Sequence, residues 1–107
     1  MSVVTVIIGS TREGRFSDLP AQWIKARLEQ RPGLTVRLLD LRDYALPMFD
    51  SAMLPGIPGR PAFEDEAVRR WTEQIGASDA FVIATPEYNF GPPAVLKNAI
   101  DWVYPEW

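Results

Sequence analysis

Residues 3–11 read VVTVIIGST, an apolar and mostly β-branched run that stops abruptly at Gly9. A continuous apolar strand of this kind is usually covered on both faces, as in a parallel sheet. Two later segments also have strand patterns, the alternating Leu34–Asp40 and the apolar Ala80–Thr85. Helical patterns follow each strand, so the order is strand, helix, strand, long loop, helix, strand, helix. This alternation predicts an α/β fold with a doubly wound parallel sheet.

Each of the three predicted helices has an apolar stripe. The first begins at Ser17 or Asp18, the second in the acidic turn Glu64–Glu66, and the third after Pro92 and Pro93. The residues that we assign to the core-facing stripes are Leu19, Trp23, Ile24 and Leu28 in the first helix, Val68, Trp71 and Ile75 in the second, and Val95, Leu96, Ala99, Ile100 and Val103 in the third. Trp23 and Trp71 are therefore predicted to be core residues.

The amino-acid composition excludes several classes of function. A chain of 107 residues with 47% hydrophobic and 23% charged residues is typical of one globular domain. The net charge of -3 gives no basic field for a nucleic acid partner. Histidine and cysteine are absent, which excludes thiolate nucleophiles, histidine bases and the zinc sites that use these ligands. We expect no metal site and no catalytic side chain.

The start of the chain and the number of strands lead to two further expectations. The segment before Gly9 has no basic region and is too short for a membrane span, so a cytoplasmic protein with no membrane partner is expected. Three strands are few for a doubly wound sheet, and one apolar strand is left at an edge. The sheet is therefore expected to be incomplete, with its cover supplied by further strands or by a partner chain.

The loop from Gly9 to Ser17 follows the first strand, at the end of a parallel sheet where ligands bind. It offers three hydroxyl groups, two guanidinium groups and the free N–H groups of a helix start, which suit a phosphate. The loop lacks the glycine patterns of dinucleotide and triphosphate sites, so a terminal monophosphate is favoured over both. A polar turn with an ordinary helix cap remains the alternative.

The second loop, Thr85–Asn89, leaves the third strand at the same sheet edge, so the two loops are expected to converge on one crevice. Tyr88 offers a flat ring to a planar ligand, and Asn89 can donate and accept hydrogen bonds. Considered alone, this loop fits a proline-rich surface turn at least as well.

Three segments resemble the NADPH-dependent FMN reductases, a family with a flavodoxin-like fold that includes flavin, quinone, chromate and azo-dye reductases. They are Gly9–Ser17, Leu39–Asp43 with Leu46 and Pro47, and Thr85–Asn89 followed by Pro93–Trp102. The resemblance spans nearly the whole chain in order. It implies that residues 1–107 are the N-terminal part of a single flavodoxin-like FMN-binding domain, truncated at the C-terminus, with three strands and three helices present.

The resemblance also implies a cofactor, a reaction and a set of site residues. FMN would be the cofactor and NADPH the co-substrate, with the hydride passed on to a quinone, a flavin or another small acceptor. Ser10, Arg12 and Ser17, assisted by Thr11, would hold the FMN phosphate. Pro86, Glu87, Tyr88 and Asn89 would line the ribityl chain and the isoalloxazine ring.

Assembly and two other functions remain open at this stage. The family is commonly dimeric or tetrameric, so a homo-dimer or homo-tetramer is expected, with Asp101, Trp102 and Trp107 as candidate interface residues. One alternative function is a non-enzymatic FMN-binding electron carrier. The other is a flavin-free fragment of a longer reductase.

Overall fold

The computed structural model describes residues 1–107, and all seven predicted segments are found in the predicted order. The strands are β1 (Ser2–Ile8), β2 (Leu34–Asp40) and β3 (Ala80–Ala84), and the helices are α1 (Asp18–Glu29), α2 (Glu66–Gly76) and α3 (Ala94–Asp101). A short 3-10 turn, Leu41–Asp43, follows β2. The α/β fold predicted from the sequence is confirmed.

The three strands form one parallel sheet in the order β2-β1-β3. Val4 of β1 is paired with Val36 of β2 and with Ala80 of β3. The chain adds strands first on one side of β1 and then on the other, which creates the topological switch point of flavodoxin-like folds between β1 and β3. β3 has one neighbour in the sheet, as expected from its place at an edge.

The two faces of the sheet are covered unequally. Helices α2 and α3 pack on one face around the fully buried Trp71 and Ile75. On the other face, α1 packs on Val6 and Ile8 through the buried Ala21. The core therefore lies mainly between the sheet and the α2–α3 layer, and the strand ends between β1 and β3 are left accessible from the α1 side.

The prediction that Trp23 is a core residue is wrong, whereas the same prediction for Trp71 is confirmed. Trp23 is 62% exposed, as is Leu19, although both were assigned to the buried stripe of α1. The stripe that packs on the sheet is Ala21, Ile24 and Leu28. Trp23 comes two residues after Ala21, about 200° further around the helix, so it lies on the opposite side.

The expectation that Trp102 is an interface residue is also wrong. Trp102 is 4% exposed within this chain and stacks edge-on against Phe49 and Phe63, with ring centroids 4.9 and 5.0 Å away. Its Nε1 donates to the Pro47 carbonyl at 2.8 Å. Trp107 stacks edge-on against Phe81 of β3 at 4.9 Å, so it also contributes to covering the sheet.

Side chains from α3 and the residues after it hold the long loop between β2 and α2. Asn98 accepts a hydrogen bond from the Phe49 N–H at 2.8 Å and donates to the Pro47 carbonyl at 2.9 Å. Further along the loop, Arg60 forms an ion pair with Glu106. The loop lacks a helical or strand pattern, yet it is fixed at both of these places.

Gly9 allows the closest approach between the first strand and its neighbours. A Cβ at this position would lie 3.0 Å from the Ala84 carbonyl oxygen and 3.1 Å from a methyl group of Leu96. Its N–H donates to that same Ala84 carbonyl at 2.8 Å. The loop that begins here is thereby held directly beside the end of β3.

No helix in this fold has the length and apolar character that crossing a lipid bilayer requires.

Candidate functional site

The two loops that the sequence places at one sheet edge do converge. The Ser10 hydroxyl, after β1, lies 3.3 Å from the Tyr88 hydroxyl, after β3. Between the loops is an open cleft of about 230 Å³, bounded on its other side by the start of α1. It lies at the carboxyl ends of β1 and β3, the switch point at which open α/β sheets bind ligands.

Two serine hydroxyls form the polar part of the cleft. Ser10 is 1% exposed and Ser17 is 5% exposed. Ser17 precedes α1, but its side chain makes no capping hydrogen bond, so the expected side-chain cap is absent and the hydroxyl keeps its capacity for another partner. The Ser10 hydroxyl accepts a weak hydrogen bond from the Arg12 N–H at 3.3 Å. Hydroxyl groups held in this way can donate to an anion.

Arg12 provides a positive charge beside these hydroxyls. Its guanidinium group is exposed and donates to the carbonyl oxygens of Glu13 and Gly14, at 3.1 and 3.4 Å, and forms no ion pair. Bonds to main-chain carbonyls leave its charge uncompensated. A charge-assisted bond to a phosphate oxygen would be stronger than either of them.

Arg15, by contrast, is already paired. Its two terminal nitrogens bind the two carboxylate oxygens of Asp40 at 2.6 and 2.5 Å, and the side chains are 8% and 22% exposed. The hydrogen bond from Arg15, which outweighs the opposing effect of burial, holds the pKa of the Asp40 carboxyl below its ordinary value of 3.8. The pair ties the loop after β1 to the end of β2.

The loop after β3 contains a tight two-residue hairpin. Tyr88 and Gly91 exchange two main-chain hydrogen bonds, at 2.9 and 3.1 Å. Asn89 and Phe90 between them have positive φ values of 51° and 66°. Two such residues in sequence are the mark of a type I′ turn, which asparagine tolerates and phenylalanine rarely adopts. Phe90 is 99% exposed, so a strained turn carries an aromatic ring into solvent on the outer side of the loop.

The structure gathers some of the eight predicted site residues and separates others. The cleft is lined by Ser10, Arg12, Ser17, Pro86 and Tyr88. Glu87 lies beside Phe90 on the outer side of the same loop, and Asn89 is at the tip of the turn. Thr11 lines a different cavity, of about 380 Å³, between the loop after β2 and the start of α3.

Two features of the site are not evident from the sequence, namely the partner of Arg15 and the backbone conformation of the loop after β3. Arg15 is one of the two guanidinium groups that the sequence places in the loop after β1, and nothing local indicates that Asp40, at the end of another strand, binds it. The type I′ turn was also missed, because Phe90 is an unusual residue for the second position of such a turn. The Asn89 residue before it was the available signal.

The Arg15–Asp40 pair makes the stability of the protein depend on pH. Because the folded-state pKa of Asp40 is lowered, its contribution is fully present above about pH 5 and is lost as the pH falls through the folded-state value. We expect Asp40→Asn to remove this part of the acid-side decline in the free energy of unfolding. Urea denaturation between about pH 6 and pH 2 measures it. The matched control is Glu64→Gln, an exposed carboxylate with no ion pair, and equal pH profiles for the two variants would contradict the prediction.

The fold and the site together define a class of protein. A parallel sheet in the order β2-β1-β3, with a hydroxyl- and arginine-lined cleft after β1 and an aromatic loop after β3, is the architecture of flavodoxin-like proteins. The family profile of the NADPH-dependent FMN reductases matches residues 2–107. The chain belongs to this family.

Individual relatives agree with this assignment. The chain is 38% identical over 97% of its length to an NAD(P)H-dependent FMN reductase of Schizosaccharomyces pombe and 36% identical over 94% to a quinone reductase of Escherichia coli. Among solved structures, it is similar to the flavoenzyme NAD(P)H:(acceptor) oxidoreductase FerB of Paracoccus denitrificans, with 32% identity over 95% of this chain and a TM-score of 0.63.

The matches cover only part of each relative. The chain spans 52% of the S. pombe protein, 49% of the E. coli protein and 50% of FerB. It therefore corresponds to about half the length of the proteins that it matches.

Proposed function

We propose that this chain provides the phosphate-binding and part of the ring-binding region of an FMN-dependent NAD(P)H oxidoreductase that reduces a quinone, a flavin or another small acceptor. In this proposal, residues 1–107 are the N-terminal part of one flavodoxin-like domain. The family assignment and the names of the relatives support the general reaction. Turnover assays with quinone and flavin acceptors identify the acceptor that the enzyme prefers.

The cleft between the loops after β1 and β3 is the observation that carries the proposal. It offers two largely buried hydroxyls, from Ser10 and Ser17, and the uncompensated charge of Arg12, all within one small volume. These groups fit a terminal phosphomonoester, which accepts several hydrogen bonds and carries up to two negative charges. A dinucleotide pyrophosphate would require a glycine-rich turn that this loop does not have.

The loop after β3 fits the other end of the cofactor. Tyr88 lies across the cleft from the phosphate-binding residues, and its hydroxyl reaches Ser10. The hairpin beyond it is closed by two main-chain hydrogen bonds, with Phe90 projecting at the tip. Such a rigid aromatic loop suits a flat ring system, since it can form one wall of a pocket without having to close around the ligand.

The roles of the side chains follow from their chemistry. When bound, the flavin supplies the hydride chemistry. Ser10, Ser17 and Arg12 fix the phosphate and thereby the position of the cofactor along the sheet edge. Pro86 and Tyr88 exclude water from one side of it. The chain has no histidine or cysteine, so its residues orient the cofactor and do not act as nucleophiles.

Arg12→Ala is expected to weaken FMN binding by about 1.5–3 kcal/mol, the range of a hydrogen bond to a charged group, which corresponds to a tenfold to more than hundredfold rise in Kd. Fluorescence titration with FMN measures this. The affinity for riboflavin, which lacks the phosphate, is expected to stay unchanged. Arg31→Ala, at an exposed position after α1, is the control for a general loss of positive charge.

An unchanged FMN affinity in Arg12→Ala would show that the loop after β1 is a turn and no phosphate site. A parallel fall in riboflavin affinity would instead point to a distorted fold. Either result would remove the main support for the proposed function.

The proposal as a whole is tested by an absorption spectrum recorded after FMN is added and the excess removed, followed by NADPH oxidation assays with quinone and flavin acceptors. Retained flavin with turnover supports the oxidoreductase. Retained flavin that NADPH does not reduce favours the electron carrier, and no retained flavin contradicts both.

A further inference from the structure

Two arginines, one within the loop after β1 and one after β2, donate hydrogen bonds to main-chain carbonyls of the loop after β1. Arg15 donates to the Ser10 carbonyl at 2.8 Å, and Arg42 donates to the Arg12 carbonyl at 2.7 Å. A carbonyl oxygen carries partial negative charge and would repel an anion nearby. Because both of these carbonyls are engaged by cations, the loop offers the cleft its hydroxyl groups and the charge of Arg12.

One carboxylate contacts both arginines, the side chain of one and the main chain of the other. Asp40 binds Arg15 through two side-chain bonds, and it also accepts a hydrogen bond from the Arg42 main-chain N–H at 2.9 Å. Asp40 is the last residue of β2, the strand that pairs with β1. Arg15 therefore connects the start of the loop, at the Ser10 carbonyl, to the end of β2 in the sheet.

Arg15 is also part of the cleft wall. It is among the lining residues, and its Nε is the one buried side-chain nitrogen or oxygen without a hydrogen-bond partner. An unpaired buried donor costs free energy, and the bonds of the guanidinium group to Asp40 and to the Ser10 carbonyl hold it in this position.

We propose that Arg15 and Asp40 act as one positioning unit for the phosphate end of the cofactor. Asp40 orients the guanidinium group, and the guanidinium group holds the Ser10 carbonyl so that the Ser10 hydroxyl and the Arg12 charge face the phosphate. Neither member of the pair needs to contact the phosphate itself. This inference rests on the proposed function, because it assigns a role within the same FMN site.

The sign of one substitution distinguishes positioning from direct binding. If Arg15 bound the phosphate directly, Asp40→Asn would free its charge and tighten FMN binding. If the pair positions the loop, Asp40→Asn loosens it and weakens FMN binding although the cleft becomes more positive. Arg15→Lys, which keeps the charge but loses the two-pronged contact with the carboxylate, is expected to have the same effect.

The experiment measures the Kd for FMN and for riboflavin in the wild-type protein, in both single variants and in the double variant. We expect the preference for FMN over riboflavin to fall by about tenfold or more in each single variant, the loss of one charge-assisted contact. The double variant is expected to lose no more than a single variant, because the two residues act as a unit. Thermal melts without ligand report whether each variant folds. If Asp40→Asn does not fold, Arg15→Lys is used to test the proposal.

Glu106→Gln is the matched control, since Arg60 and Glu106 form the other ion pair with little exposure, 8% and 13%. It is expected to affect stability without changing the preference for FMN. An unchanged or increased preference in Asp40→Asn, additive losses in the double variant, or an equal loss in Glu106→Gln would each overturn the positioning role. Failure of the wild-type protein to bind FMN would instead contradict the proposed function on which this role rests.

Discussion

Replacing Trp71 with alanine is expected to lower the free energy of unfolding by about 3–5 kcal/mol, the range for removing a large buried aromatic side chain. Trp71 is fully buried at the centre of the core between the sheet, α2 and α3. Its Nε1 donates to the Ala99 carbonyl at 2.9 Å, and its ring stacks edge-on against Tyr44 at 5.3 Å. The substitution would leave a cavity and a buried carbonyl without its partner.

Chemical denaturation with a matched tryptophan control measures this effect. Trp23→Ala removes the same side chain from an exposed helical position, so a change within about 0.5 kcal/mol is expected. Similar losses in the two variants would contradict the assignment of Trp71 to the core and of Trp23 to the surface.

Asn98→Ala is expected to cost about 2–4 kcal/mol, because it removes two hydrogen bonds and leaves the Phe49 N–H unpaired. The Pro47 carbonyl keeps its bond from Trp102, so part of the contact survives. The side chain is 6% exposed, which limits compensation by water. Faster proteolysis within the loop around Phe49 should accompany the lower stability, since the loop loses its attachment to α3.

Lys97→Ala is the control for Asn98→Ala, because Lys97 is the preceding residue of α3 and its side chain is 61% exposed in an ion pair with Asp101. Its loss is expected to be about 0.5 kcal/mol or less. If Asn98→Ala cost no more than this control, the loop would be held by its own packing and the hydrogen bonds would contribute little.

The sheet could be predicted from the sequence because its signals are local. The apolar run of β1, the alternation of β2 and the apolar β3 each end at a glycine, an aspartate or a proline that interrupts the pattern. The predicted bounds of β2 match the observed ones, and β3 ends one residue earlier than predicted. The strand order β2-β1-β3 has no such local signal, because a right-handed crossover can add a strand on either side of β1.

The errors arose where the structure depends on distant residues. Trp23 was placed on the wrong side of α1 because several apolar residues encircle this helix, and packing on the sheet selects one stripe. The environment of Trp102 is built by Phe49 and Phe63, from a loop without a periodic pattern. Within the site, the residue types predict an anion-binding loop. The ion pair between Arg15 and Asp40 could not be predicted in the same way, because it depends on the ends of β1 and β2 lying side by side.

The pairing of β1 has a consequence for the order in which the chain assembles. Its partners in β2 follow after one helix, whereas its partners in β3 lie more than twice as far along the sequence. Closing the shorter loop costs less chain entropy, so the β1–α1–β2 unit can form while the rest of the polypeptide is still being synthesised. The second edge of β1 then stays unpaired until Ala80–Ala84 has emerged from the ribosome. During that interval an apolar strand keeps one open edge, which can pair with another chain.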